Sequence, residues 1–128
     1  MTLAGSSIAS WCLLAAALLP YSVVPFAKAG GTYDNADPRN PKGYDTPLKQ
    51  RAMAAQANGF EALAVFAPAV LLALISGADT SWLHTLCLIW LAARIVYNIC
   101  YLTGLAMARS LVWLVAWGCA IAIYALAL

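Results

Sequence analysis

Arg94, Tyr97, Asn98 and Tyr101 stand in a stretch that is otherwise apolar, Ala93-Arg94-Ile95-Val96-Tyr97-Asn98-Ile99-Cys100-Tyr101. A helix turns about 100° per residue, so these four positions share roughly one 100° sector of its surface. An ionisable group inside a bilayer costs on the order of 3 kcal/mol or more and normally faces a bundle interior or a watery pocket. One cation, one amide and two phenols on a single helical face suit a small polar ligand carrying carboxylates and amides. The plainer alternative is an arginine that only pairs with Glu61 to fix helix packing.

A second polar stripe precedes it. Arg51, Asn58 and Glu61 project to one side of a helix, because 51 to 58 is nearly two full turns; Gln56 points elsewhere. Glu61 lies roughly 15 Å beyond Arg51 along the axis at 1.5 Å per residue. The chain then returns, so Tyr101 comes nearest the mouth with Arg94 deeper. Glu61 and Arg94 are expected to meet at similar depth as a buried ion pair, which makes each charge tolerable. Arg109 opens the last helix at the same membrane face. Nucleophilic catalysis of the Ser/His/Asp or Cys/His kind has no matching set in helical register. His84, the only histidine, falls at the opposite end beside Trp82 and reads as a surface residue. Cys12, Cys87, Cys100 and Cys119 occur singly in apolar stretches, without a CxxC pair or a clustered second ligand type. They read as small packing residues rather than metal ligands or a disulfide framework.

The elements that must hold these residues follow from composition. The 128 residues are 64% hydrophobic and 9% charged, against about 25% charged in soluble domains. The formal charge of +2 is too small to argue for nucleic acid. Four apolar runs, at about 8–26, 52–75, 82–105 and 110–128, approach the roughly 20 residues that cross a bilayer core. Only helices or closed barrels satisfy every backbone group in lipid. Continuous Leu/Ala-rich runs favour helices over alternating strands. Short connections then imply an all-α, up-down-up-down integral membrane four-helix bundle in a single domain, 1–128.

The first run ends in Ala27-Lys28-Ala29, which looks like a signal-peptidase site. A basic n-region is missing before it and the run is long for a signal peptide, so a retained helix is expected, kinked or ended by Pro20 and Pro25. Segment 28–47 is the one long polar loop, rich in Gly, Pro, Asn and Asp. Such length suggests a lid or binding loop, with a disordered linker as the alternative. Lys28, Arg39, Lys42, Lys49 and Arg51 gather in or beside it, and Arg109 marks the turn at 103–109. Basic residues mark the cytoplasmic side, which places both connections there and both termini opposite. Trp82 and Trp113 read as interfacial anchors, and Trp11, Trp90 and Trp117 as packing residues.

At the polar stripes the chain resembles the superfamily of membrane-associated proteins in eicosanoid and glutathione metabolism. Ala55-Gln56-Ala57-Asn58-Gly59-Phe60-Glu61, followed by Phe66, is similar to its second-helix signature. Ala93 to Tyr97, Tyr101-Leu102-Thr103 and Arg109-Ser110 resemble its third- and fourth-helix signature, nearest to microsomal glutathione transferase and prostaglandin E synthase members. The resemblance implies a homotrimer that binds glutathione between subunits and a lipophilic small molecule from the membrane. Carried across, Asn58 and Glu61 hold the glutathione backbone and amine. Arg94, Tyr97 and Tyr101 hold its carboxylates and peptide groups. Arg109 is the residue that stabilises the thiolate, with Ser110 beside it. The chain departs from the pattern at Ala54, where the family has arginine and Arg51 stands one turn earlier. Its turn before Arg109 is one residue short, and Lys28 is the nearest counterpart of a first-helix arginine.

Three functions compete on these residues. The leading expectation is a glutathione-dependent transferase or peroxidase acting on lipophilic electrophiles or hydroperoxides. A non-catalytic membrane lipid-binding or scaffold protein of the same fold is the alternative. A small transporter fits the intramembrane charges, but the two halves show no inverted repeat.

Overall fold

The structure, a computed structural model, describes residues 7–128. Helix α1 (Ser7–Leu18) tightens into a 3-10 segment (Leu19–Val23) at Pro20 and continues as α2 (Val24–Lys28), with Pro25 in its first turn. Proline lacks the N–H that an α-helix interior needs and is tolerated in a first turn, so the two prolines reshape the span without ending it. Helices α3 (Pro47–Ser76), α4 (Thr80–Thr103) and α5 (Ala106–Ala127) complete the chain. Together with the span Ile8–Lys28, they are four helices long and apolar enough to cross a membrane. The protein is an all-α, multi-pass integral membrane bundle with up-down-up-down connectivity.

Local chemistry fixes where the long helices start and stop. Thr46 caps α3 by accepting from the Lys49 N–H at 3.2 Å, with Pro47 in the first turn. The helix therefore begins upstream of the apolar run at 52. Gly77 ends it with φ +73°, and the Ala78 N–H closes on Ala73 O at 3.0 Å. Asp79 then caps α4 through the Trp82 N–H at 3.0 Å. Gly104 ends α4 in the same way, with φ +78° and Leu105 N–H bonded to Cys100 O at 2.9 Å. Both ends are left-handed caps that satisfy the last carbonyls, and a residue with a Cβ is strained there. Only Leu105 separates the Gly104 cap from α5.

Small residues let the helices approach. Ala52, Ala55, Ala69 and Ala73 of α3 are fully buried, and Phe66 stacks on Trp90 of α4 at 3.8 Å with planes 8° apart. Gly59 faces Pro20 so closely that a Cβ there would meet Pro20 Cγ at 3.0 Å and Cβ at 3.2 Å. Gly59→Ala is expected to lower thermal stability by about 1 kcal/mol or more, the usual cost of overpacking. An unchanged melting midpoint in detergent would show that the first span can slide away from α3. All four cysteines are buried and free. Trp90 packs as expected, at 2% exposure, but Trp11 is 70% exposed on the outer face of α1 and Trp117 is half exposed. His84 is half-buried rather than on the surface, with Nε2 closed off from solvent.

The polar loop is a run of turns. Asp34 accepts from the Ala36 N–H, Asn40 from the Lys42 N–H, and Tyr44 OH donates to Pro38 O. Buried Lys49 anchors the run, donating to Thr32 Oγ1 at 2.7 Å and to Asp45 Oδ1 at 3.2 Å. Those bonds, Lys49 first and Thr32 second, hold the Asp45 carboxyl below its usual value. A lowered folded pKa gives an anchor that is complete above the usual carboxylate value of about 3.9 and is lost as pH falls through the lowered one. Limited proteolysis of the loop should therefore stay slow at pH 5 to 8 and accelerate below about pH 4. Asp45→Asn should abolish that acid transition. A profile identical to the parent's would show that Asp45 does not hold the loop.

Candidate functional site

On α4 the spacing 94, 97, 101 produces a ladder of alternating charge and ring. The Arg94 guanidinium lies over the Tyr97 ring at 4.0 Å. Tyr97 meets Tyr101 edge to face, with centroids 5.6 Å apart and planes at 77°. Arg109, at the end of the first turn of α5, covers Tyr101 at 4.4 Å. The short turn has not swung Arg109 away, because the Gly104 cap reverses the chain within two residues and the Arg109 N–H already bonds Leu105 O at 2.9 Å. Each cation–π contact contributes roughly 0.5–2 kcal/mol, the upper end where water is excluded.

Beside the deep end of the ladder lies a cavity of about 200 Å³, bordered by Asn58, Glu61, Arg94, Trp90, Trp113 and Trp117. It is smaller than the roughly 300–1,000 Å³ of a typical ligand pocket. Arg94 is 1% exposed, and its Nη2 has no hydrogen-bond partner. Asn58 Oδ1 and Asn98 Oδ1 are likewise buried and unpaired. A buried polar atom without a partner costs about 1–3 kcal/mol. Two such atoms, a cationic donor and an amide acceptor, belong to residues of one small cavity.

The expected Glu61–Arg94 ion pair does not form. Lys49–Asp45 is the one ion pair among the described residues. Depth was right, but the guanidinium lies against the Tyr97 ring, and both charges border the cavity instead of each other. Glu61 is exposed at the edge of the cavity. Arg51 reaches the turn between α4 and α5, where a Cβ on Gly104 would sit 3.9 Å from its Nη1, and its buried Nε is unpaired. Arg51 and Arg109 therefore flank the loop end of the ladder. Ser110 is exposed and does not border the cavity. Among the described residues, Asn58, Glu61 and Arg94 meet at the cavity, and Arg94, Tyr97, Tyr101 and Arg109 form the ladder.

The walls were missed. Trp113 and Trp117 stack on each other at 6.1 Å with planes 15° apart and line the cavity together with Trp90. The spacing Arg109, Trp113, Trp117 (i, i+4, i+8) places both indoles below the arginine on one face of α5. Gln56 does point elsewhere: it lines a second cavity, on the far side of α3, with Arg39 and Phe60.

The described residues form a membrane four-helix bundle with cations, phenols and unpaired amides between its helices, next to an indole-walled cavity. The chain belongs to the MAPEG family, whose family model matches residues 8–128. No curated protein and no solved structure matches the chain. The family groups membrane-associated proteins of eicosanoid and glutathione metabolism.

Proposed function

We propose that the protein is a glutathione-dependent transferase or peroxidase acting on lipophilic electrophiles or hydroperoxides. The observation that carries this reading is the unpaired Arg94 and Asn58 at one end of a ladder whose other end is Arg109. The donor set fits glutathione. Arg51 and Arg94 offer N–H groups to carboxylates, Asn58 and Asn98 offer oxygens to amide or ammonium N–H groups, and the two tyrosines stand between Arg94 and Arg109. Glutathione, when bound, supplies the thiol nucleophile. Arg109 stabilises the negative charge on its sulfur, because a fixed cation beside a thiol of pKa near 8.5 raises the thiolate fraction. Arginine keeps its charge at every working pH, which suits it to that task. Trp113 and Trp117 present an apolar wall to a partner arriving from the lipid side.

The same reading takes the loop 28–47 and the turn 103–109 as cytoplasmic, by their basic residues, so that glutathione arrives from the cytoplasm. It also takes the chain as a homotrimer. Glu61 supports association, since it is exposed roughly 15 Å beyond Arg51 along α3 and shares its face with Ala57 and Ala64, both exposed. An exposed carboxylate at that depth is costly in a bilayer, and small neighbours let another helix cover it.

The test is glutathione titrated into detergent-purified protein, read by thermal stabilisation and by ultraviolet thiolate absorbance. Stabilisation with a thiolate signal is the expected result. Stabilisation without one indicates the non-catalytic binding or scaffold role instead. No stabilisation would remove glutathione as the ligand.

A further inference from the structure

The Arg94 cavity is lined by two kinds of chemistry. Asn58, Glu61 and Arg94 supply the polar groups, and Trp90, Trp113 and Trp117 the rings. Three of the five tryptophans of the chain thus border one cavity of about 200 Å³. It lies between α3, α4 and α5 of a single chain. A neighbouring subunit laid over Glu61 therefore covers its edge and leaves its indoles in place.

The indoles are held by what they touch. Trp90 is 2% exposed and stacks on Phe66 at 3.8 Å, which fixes its plane. Trp113 and Trp117 lie one turn apart with planes 15° from parallel, so they form one extended aromatic surface. Ala116 and Ala120 share their face of α5 at i+3 and i+7 from Trp113, and both are buried. Larger side chains at those two positions would fill the space beside the indoles.

Size and shape decide what fits. An apolar cavity of about 150 Å³ holds one benzene ring, so about 200 Å³ has room for a single ring with a small reactive group. A long acyl chain exceeds it. A flat ring gains from stacking on indoles beyond the area it buries, and it has no rotors to immobilise. An alkyl chain gains from area and loses rotamer freedom. Trp113 stands one turn, roughly 6 Å, from Arg109 along α5.

We propose that the lipophilic partner is an aryl electrophile whose ring stacks on Trp113 and Trp117, and that these two indoles select ring over chain. This assignment rests on the glutathione-dependent reading above and names its second substrate. The ring on Trp113 brings an attached electrophilic carbon toward the Arg109 end. With a conjugated aryl enone, the thiolate sulfur bonds to the β-carbon and the alkene pair moves to the α-carbon. That carbon takes up one proton, which replaces the one the thiol released, and no group leaves.

The experiment uses the full chain purified in detergent and begins without glutathione. Two unreactive ketones of equal carbon number, 4-phenylbutan-2-one and decan-2-one, are titrated by calorimetry. The phenyl ketone is expected to bind roughly fivefold more tightly, within what one aromatic stack adds beyond buried area. Trp117→Leu should bring the ratio close to one, and Trp117→Phe should restore most of it. Trp117 is half exposed, so leucine there leaves no void in the core; Trp113→Leu is the second variant, with the same expected effect. Equal affinities in the parent, or a ratio unaltered in both leucine variants, overturns the proposal. The matching enones, 4-phenylbut-3-en-2-one and dec-3-en-2-one, are then turned over with glutathione, each rate divided by its uncatalysed rate. The same preference and the same loss in the leucine variants are expected in kcat/KM. A ring preference in binding with no glutathione thiolate supports the aryl slot and removes the glutathione reading. A thiolate signal with equal ketone affinities removes the aryl slot and leaves that reading standing.

Discussion

Arg109→Ala is expected to lose most turnover at pH 7 while keeping most glutathione affinity. A thiol of pKa 8.5 is only about 3% ionised at pH 7, whereas one brought to roughly 6.5 by a neighbouring cation is about three-quarters ionised. Losing the cation therefore costs roughly 25-fold in nucleophile alone. The defect should shrink as pH rises past about 8.5, because the thiolate then forms without help. That pH rescue separates a charge role from a structural one. Arg109 also covers Tyr101 at 4.4 Å, and a collapse of that packing would lower activity equally at every pH. Turnover equal to the parent's at pH 7 would remove Arg109 from the mechanism.

Arg94→Met should separate stability from binding. Methionine keeps an unbranched chain of similar reach but removes the charge. The variant loses one cation–π contact with Tyr97, roughly 0.5–2 kcal/mol. It also no longer buries a charge without an ion-pair partner, which ordinarily costs several kcal/mol. The melting midpoint of the ligand-free protein should therefore hold or rise. Glutathione affinity should fall by about 30-fold or more, the 2 kcal/mol or so that a truncated buried charge contact costs. An arginine serving only packing predicts the reverse, a lower midpoint with affinity intact. Calorimetry and melting curves on the same preparation distinguish the two outcomes.

The two polar stripes were legible because helical period is a strong signal in apolar sequence. Positions 94, 97 and 101 needed only 3.6 residues per turn to share a face. Their partners were not legible to the same degree. Axial rise put Glu61 and Arg94 at one depth, but the direction of a long side chain depends on what it lies against, and Tyr97 lay closer to hand. Trp113 and Trp117 were hidden for a related reason. Trp113, near a helix end, reads as a membrane anchor and Trp117, deeper, as a packing residue until the neighbouring helix shows a cavity between them. The ordered loop was half legible. Its turn formers were plain in Asp37, Asn40 and Pro41, but the anchor depends on Lys49 meeting Thr32 17 residues away in sequence, which no local pattern carries.

The brevity of the α4–α5 connection has a consequence for how such a site can vary. Gly104 and Leu105 alone separate two helices whose facing residues, Tyr101 and Arg109, must stack. One added residue after the cap shifts every α5 side chain by about 100° around its axis. Arg109, Trp113 and Trp117 move as a set, so a single insertion would turn cation and indoles toward lipid together. Chain length at this reversal thus works as a phase setting for the whole last helix. Substitutions adjust the strength of individual contacts, whereas an insertion or deletion here switches the entire face in or out.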